Sequence, residues 1–203
     1  MNVKLIWVTP DAENIMAYCA RVSSPHQDNP EYSGLLRYCV ENEHWSVFEM
    51  ASLCVEITTS RAISAQILRH RSFSFQEFSQ RYAEVTDIEK YQARRQAAKN
   101  RQSSVDDMSD DEKQWFDEAQ HTVQSCSLRL YYKAIEKGIA KEQARFLLPM
   151  ATSTRLYMTG SVRSWIHYLR LRTKPNAQLE HRDIARAIKV IFCEQLPTVG
   201  GLL

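Results

Sequence analysis

Glycine is scarce in this chain, five in 203 residues, and no two are spaced as in G-x-G-x-x-G. That excludes the glycine-rich turn on which a Rossmann dinucleotide fold depends. The five cysteines (Cys19, Cys39, Cys54, Cys126 and Cys193) are odd in number and include no C-x-x-C pair. A disulfide framework and a zinc knuckle are thereby excluded, no metal site is expected, and most of these residues read as buried small apolar groups in a reducing compartment. No apolar run approaches the roughly 20 residues a spanning helix needs, so no membrane partner is expected. The stretch at 1–7 is too short in apolar residues for a signal peptide and lacks a small-residue cleavage site. A cytoplasmic location is the expectation.

What is present is the composition of a soluble globular protein with a real core: 44% hydrophobic and 25% charged residues. Disordered, collagen-like and low-complexity chains are excluded. There is no internal repeat and no linker able to divide the chain, so residues 1–203 read as a single domain.

The net charge of +2 hides an asymmetry. Residues 105–118 carry seven acids against one lysine, which reads as a solvated loop and helix start. Residues 141–190 carry ten Lys or Arg against three acids, five of them arginines between Arg145 and Arg172. Arginine offers planar two-pronged donors to phosphate and carboxylate, so an anionic ligand is expected. Nucleic acid and a small phosphorylated metabolite remain equally open on charge alone.

Residues 3–8, 51–59 and 154–159 read as strands from their β-branched and aromatic content. Helical spacing is expected after Asp11 through Val22, after Ser33, from Ser60 to about Arg71, over 111–137, 141–148 and 161–172, and over 178–195 closed by Pro197. The long helix would carry Trp115, Ala119, Val123, Cys126, Leu130 and Ala134 on one stripe, with Gly138 ending it. Residues 87–111 are polar and without periodicity, and read as a loop or insertion within the domain. The sum is α+β: a helix-rich single domain with a small, mostly antiparallel sheet and no Rossmann fold.

The densest polar cluster lies at 69–82, with three Arg, one His and three Ser interleaved with Phe73, Phe75 and Phe78. Basic residues favour a helix C-terminus by dipole alone, but this density exceeds capping needs. A ribbon of guanidinium and hydroxyl donors backed by aromatic rings suits a phosphate joined to a flat ring.

The spacing Arg69-His70-Arg71-x-x-Ser74-x-x-x-x-Ser79-x-Arg81 resembles the signature of the flavin-dependent thymidylate synthases. Six fixed residues match by chance on the order of one chain in a million. Ala20-Arg21-Val22-Ser23, His44-Trp45-Ser46-Val47-Phe48-Glu49 and Ala144-Arg145-Phe146-Leu147-Leu148-Pro149 are similar to further segments of that family, as is the Ala177-Gln178-x-Glu180 pair.

The resemblance implies methylation of deoxyuridine monophosphate (dUMP) at C5 to thymidylate. Methylenetetrahydrofolate would be the carbon donor, NADPH the reductant and FAD the relay, in a homotetramer with shared active sites. It places Gln66, Arg69, Glu77, Ser79, Gln80, Arg81, Arg145 and Arg172 around dUMP. It places Ser46, Arg69, His70, Arg71, Glu77, Ser161, Val162, Arg163 and His167 at FAD. Many members carry Asn where this chain has Ser161, and Asn or His at the position of His167.

Helical geometry puts Arg163, His167 and Arg170 on one face of the 161–172 segment, and Arg172 nearly opposite with Ser164 and Tyr168. Arg170 reads as a solvated surface charge. No cysteine lies in the motif, and Ser79 has an arginine rather than a base beside it, so neither reads as a nucleophile. Arg172 is the candidate catalytic residue, a cation that polarises the uracil in a dry site. The competing reading is an RNA- or DNA-binding module that uses the basic C-terminal region, with Trp165, Tyr168 and Phe73 as stacking platforms. The motif favours the enzyme, with no nucleic-acid partner.

Overall fold

The computed structural model describes residues 1–85 and 87–203. A four-stranded sheet runs in the order β1 (Asn2–Val8), β2 (Ser52–Ser60), β6 (Ser153–Ser161), β3 (Ser74–Glu77), and a two-residue ladder pairs β4 (Arg95–Gln96) antiparallel with β5 (Ser104–Val105). Helices dominate the rest, so the fold is α+β with a small antiparallel sheet component and no Rossmann fold. The chain forms two compact units, and β2, β3 and β6 each continue from one into the other.

The first unit comprises Met1, Thr58–Ile67 and Glu77–Leu156. It holds α3 (Arg61–Ile67), α4 (Asp110–Glu136) and α5 (Lys141–Ala144), followed by a 3₁₀ turn at Arg145–Leu147. The expected single helix over 141–148 is therefore split. A reciprocal capping box starts α4: Ser109 Oγ accepts from the Glu112 N–H (3.3 Å) and Glu112 Oε2 from the Ser109 N–H (2.8 Å). Beyond its end, Gly138 takes φ 78°, a left-handed turn that suits glycine.

Most of the expected apolar stripe of α4 is not buried. Trp115, Val123, Cys126 and Leu130 are exposed and Ala119 is half-buried, while Ala134 alone of the stripe is buried, beside Ser127 and Tyr131 from outside it. The C-terminal half of α4 meets α5 and the 3₁₀ turn, where Tyr131 and Ala134 pack with Ala144 and Leu148 and the Ser127 hydroxyl donates to Leu147 O.

Residues ahead of α4 are strapped to it. The Tyr91 N–H donates to Gln120 Oε1 (2.9 Å) and Gln120 Nε2 returns a bond to Tyr91 O (2.7 Å). Part of the acidic run is spent locally, in Lys113–Asp106 (2.8 Å), Arg95–Asp107 (3.0 Å) and Lys90–Asp117 (3.2 Å).

The second unit comprises Asn2–Ile57, Leu68–Gln76 and Tyr157–Leu203. Here α6 (Val162–Arg172) packs on α7 (Leu179–Gln195) and on a 3₁₀ turn at Trp45–Glu49, while α1 (Ala12–Ala20), α2 (Ser33–Glu41) and α8 (Pro197–Gly200) complete the core. Trp165, Ile166, Leu169, Ile184, Ile188, Phe192, Met16, Leu36 and Phe48 are buried together. The Trp165 indole N–H finds Leu53 O at 3.0 Å, so the largest core ring leaves no orphan donor.

Three helix ends differ in detail from the expectation. Asp11 sits at the N-cap of α1 with left-handed backbone (φ 51°) and makes no side-chain cap, accepting instead from Asn14 Nδ2 at 2.8 Å. Helix α1 ends at Ala20, before the expected Val22. Pro197 does more than close α7, because it opens α8, whose Val199 N–H is taken by the buried Glu13 carboxylate at 2.9 Å.

Candidate active site

Helix α3 stops at Ile67, four residues short of the expected end, so Arg69, His70 and Arg71 lie on a turn rather than a helix face. The cause is long-range. Phe73 is drawn into the second unit's core, with its ring 4.6 Å from that of Trp165. A Cβ on Gly160 would come within 2.6 Å of the Phe73 ring, so only glycine admits this approach. Ser72 O then accepts from Ser164 Oγ (3.2 Å), and the chain leaves as β3.

In the second unit this turn meets the C-terminal end of α6. Arg172 Nε donates to His70 Nε2 at 2.9 Å. Guanidinium is always a donor, so His70 accepts as a neutral imidazole with its proton on Nδ1. Burial, and then the Arg172 charge, push the His70 pKa down to about 4, which agrees. The other nitrogens of Arg172 make no hydrogen bond or ion pair with the described residues. Arg69 and Arg71 are exposed and likewise unpaired among the described residues.

Ser161 caps α6, accepting from the Ser164 N–H at 3.3 Å, and Val162 is buried with its N–H on Ala51 O at 2.8 Å. The outer face of α6 meets the 3₁₀ turn that carries Ser46. Arg163 pairs with Glu49 (3.0 Å), the His167 ring lies 4.8 Å from that of Trp45, and the Arg170 guanidinium sits 5.4 Å over the same indole. Arg170 is thus a cation–π partner rather than only a solvated charge. Desolvation, then the Arg163 and Arg170 charges, lower the His167 pKa.

The first unit holds two further clusters. Glu77 Oε1 accepts from Ser64 Oγ (2.6 Å), Arg61 Nη1 (2.8 Å) and Thr154 Oγ1 (3.0 Å). Arg81 and Arg145 converge on one residue: Arg81 Nε lies 3.7 Å from the Glu142 carboxylate, and Arg145 Nε donates to the Glu142 carbonyl at 3.2 Å. Ser79 Oγ accepts from the Arg81 N–H at 3.3 Å, and Gln80 is buried with Nε2 unsatisfied among the described residues. Gln66 is half-buried on α3.

Gathered by unit, Gln66, Glu77, Ser79, Gln80, Arg81 and Arg145 belong to the first, and Ser46, Arg69, His70, Arg71, Ser161, Val162, Arg163, His167 and Arg172 to the second. Trp45, Glu49, Glu142 and the Tyr168–His181 pair were not singled out from sequence. Trp45 and Glu49 lie inside the family-like segment at 44–49, which is their signal in the sequence. Tyr168 is marked in the sequence only as a ring on the Arg172 face, and nothing there links it to His181, which lies on a different helix.

Trp165, Tyr168 and Phe73 are all buried, which removes the stacking platforms of the nucleic-acid alternative. Among the described residues no helix is long and apolar enough to cross a membrane.

The α+β fold, with no Rossmann motif, presents arginines on the motif turn and at the end of α6, a donor type suited to phosphate and carboxylate groups. The family model described as thymidylate synthase complementing protein matches residues 4–198, and the chain belongs to that family, the flavin-dependent thymidylate synthases. It is therefore an enzyme of the methyltransferase class. A flavin-dependent thymidylate synthase from Synechocystis is 57% identical over 94% of this chain and 89% of its own length. A probable flavin-dependent thymidylate synthase from Paramecium bursaria Chlorella virus 1 is 49% identical over 100% and 99%. The crystal structure of a UMP/dUMP methylase from Streptomyces cacaoi, bound with 5-Br dUMP, superposes with a TM-score of 0.87 at 26% identity, covering 98% of this chain and 93% of that one.

Proposed function

We propose that this enzyme methylates dUMP at C5 to give thymidylate, with methylenetetrahydrofolate as carbon donor, NADPH as reductant and FAD bound, in the cytoplasm. The activity is assigned to residues 1–203 as one functional domain, with 87–111 an insertion within it. The observation that carries the reading is the Arg172 guanidinium, anchored through Nε on neutral His70 and with its remaining N–H groups uncommitted among the described residues. A cation held by a neutral partner keeps its full charge for a uracil carbonyl edge, where enolate-like charge develops as C5 becomes nucleophilic.

Arg81 and Arg145, drawn together by Glu142, are assigned to the nucleotide phosphate, with Ser79 and Gln80 as hydrogen-bonding neighbours. Gln66, Glu77 and Arg69 complete the nucleotide assignment. No protein nucleophile is needed. Among the described residues Ser79 has no base bonded to it, and burial pushes the Cys39 and Cys54 thiols up, away from thiolate.

The donor set also fits a flavin dinucleotide. Arg69, Arg71, Arg163 and the Ser161-capped start of α6 supply donors for a diphosphate, while Trp45 and His167 supply aromatic surface. Ser46, His70, Glu77 and Val162 complete that assignment. Bound there, FAD supplies the redox chemistry and carbon relay that side chains lack. The exposed stripe of α4, Trp115 with Val123 and Leu130, supports assembly of the chain into a homotetramer.

The test is direct. Purified protein should be yellow, and with dUMP, methylenetetrahydrofolate and NADPH it should form thymidylate. A colourless protein that forms none after reconstitution with FAD overturns the reading.

A further inference from the structure

Behind the Arg172–His70 bond lies a polar pair that the reaction does not itself require. Tyr168 on α6 and His181 on α7 are both buried, with the phenol oxygen 3.1 Å from His181 Nε2. His181 Nδ1 is also buried and has no partner among the described residues. Beyond His181 the inner face of α7 is apolar, through Ile184, Ala185, Ile188 and Phe192. An aromatic–aliphatic pair would fill this layer without the cost of an unsatisfied nitrogen. The polar pair is therefore poor packing, and its placement suggests what it does.

The His70 ring stands edge-on to both members, 4.9 Å from the Tyr168 ring at 79° and 5.9 Å from the His181 ring at 89°. Phe73 closes a third side at 6.5 Å and 87°. The imidazole plane is thus set by three rings, two of them locked to each other by a hydrogen bond. That plane fixes where the Nε2 lone pair points, and Arg172 Nε follows the lone pair. Burial and the Arg172 charge keep both imidazoles uncharged, so no second cation competes at this spot.

We propose that Tyr168 and His181 are positioning residues: their buried pair sets the plane of the His70 ring and, through His70 Nε2, the direction of the Arg172 guanidinium. The consequence for catalysis rests on the assignment of Arg172 as the residue that polarises the uracil. Misdirecting such a group by about 1 Å typically costs up to about 10²-fold in rate.

The experiment uses purified holoenzyme carrying Tyr168→Phe, His181→Leu or His181→Gln, each alone and in an Arg172→Lys background. Thymidylate kcat, KM for dUMP, FAD per subunit, and ¹⁵N NMR of the His70 imidazole and the Arg172 Nε–H are measured. Tyr168→Phe and His181→Leu should lower kcat about 10- to 100-fold with flavin content kept. The Arg172 Nε–H should then lose its protection from solvent exchange. His181→Gln, whose amide can still reach the phenol, should recover most of the loss. In the Arg172→Lys background the same changes should add less than about twofold, because residues acting through one another are not additive.

Unchanged His70 and Arg172 resonances in Tyr168→Phe and His181→Leu overturn the proposal whatever the rates show. Equal losses in both backgrounds overturn it too, leaving the pair a packing role. Wild-type protein that forms no thymidylate, but whose Arg172 Nε–H loses protection in the variants, upholds the positioning and instead defeats the assigned reaction.

Discussion

Arg172 and His70, 102 residues apart in sequence, are joined by a 2.9 Å hydrogen bond in which a permanent cation donates to an imidazole that must be neutral to accept it. The anchor takes one N–H of the guanidinium and leaves the planar fork. Arg172→Ala should therefore lower turnover by about 10²–10³, roughly 3–4 kcal/mol, with FAD still bound. Arg172→Lys should be nearly as poor, because one ammonium cannot both bond His70 and present a planar pair of donors. Near-normal turnover of either variant at saturating dUMP, or loss of its flavin, would show the assignment to be wrong.

Arg163 belongs to the opposite face of α6, where it pairs with Glu49 over 3.0 Å. Both groups are well exposed, so the pair itself contributes little to stability. Arg163→Ala should leave the melting temperature within about 2 °C and chiefly reduce FAD occupancy. Absorbance at the flavin bands per subunit reads this out; full occupancy combined with weaker dUMP binding would reverse the roles given to the two faces.

Glu77 gathers three donors on one oxygen, including the half-buried Arg61. Glu77→Ala strands that cation and two hydroxyls and should destabilise the protein by about 2–3 kcal/mol, at the lower end for a buried pair because solvent reaches both partners. Glu77→Gln keeps an acceptor and should cost less. Urea denaturation measures both, and an unchanged midpoint for Glu77→Ala would mean the hub does not form in solution.

His181 is fully buried and burial, then Arg172 and His70, lower its pKa to about 3, while His70 falls to about 4. The unfolded chain thus takes up protons near pH 6.5 that the folded chain refuses. Stability is complete above about pH 6.5 and is lost as pH falls toward the folded values, by up to about 1.4 kcal/mol per pH unit for a fully buried histidine. His181→Leu should flatten this acid limb between about pH 4 and 6. An unchanged slope would place the titration elsewhere.

Local rules decide one part of this protein. Strands β1, β2 and β6, most helix cores and the stop at Gly138 depend on hydrogen bonds and periodicity spanning a few residues, and these were legible, whereas β3, β4 and β5 were not. The motif at 69–81 was legible for the same reason, since its residues sit in one short stretch. Where α3 ends was not, because Phe73 enters the core only where Gly160 leaves room for it. Which stripe of α4 is covered depends on what the rest of the chain brings to it, and periodicity cannot say whether a partner is present. The approach of Arg81 to Glu142, which bonds Arg145 within one turn, and the meeting of His70 with Arg172, Tyr168 and His181 were decided by tertiary packing. Contacts between separate elements leave no mark on spacing; burial and the geometry of facing elements choose them.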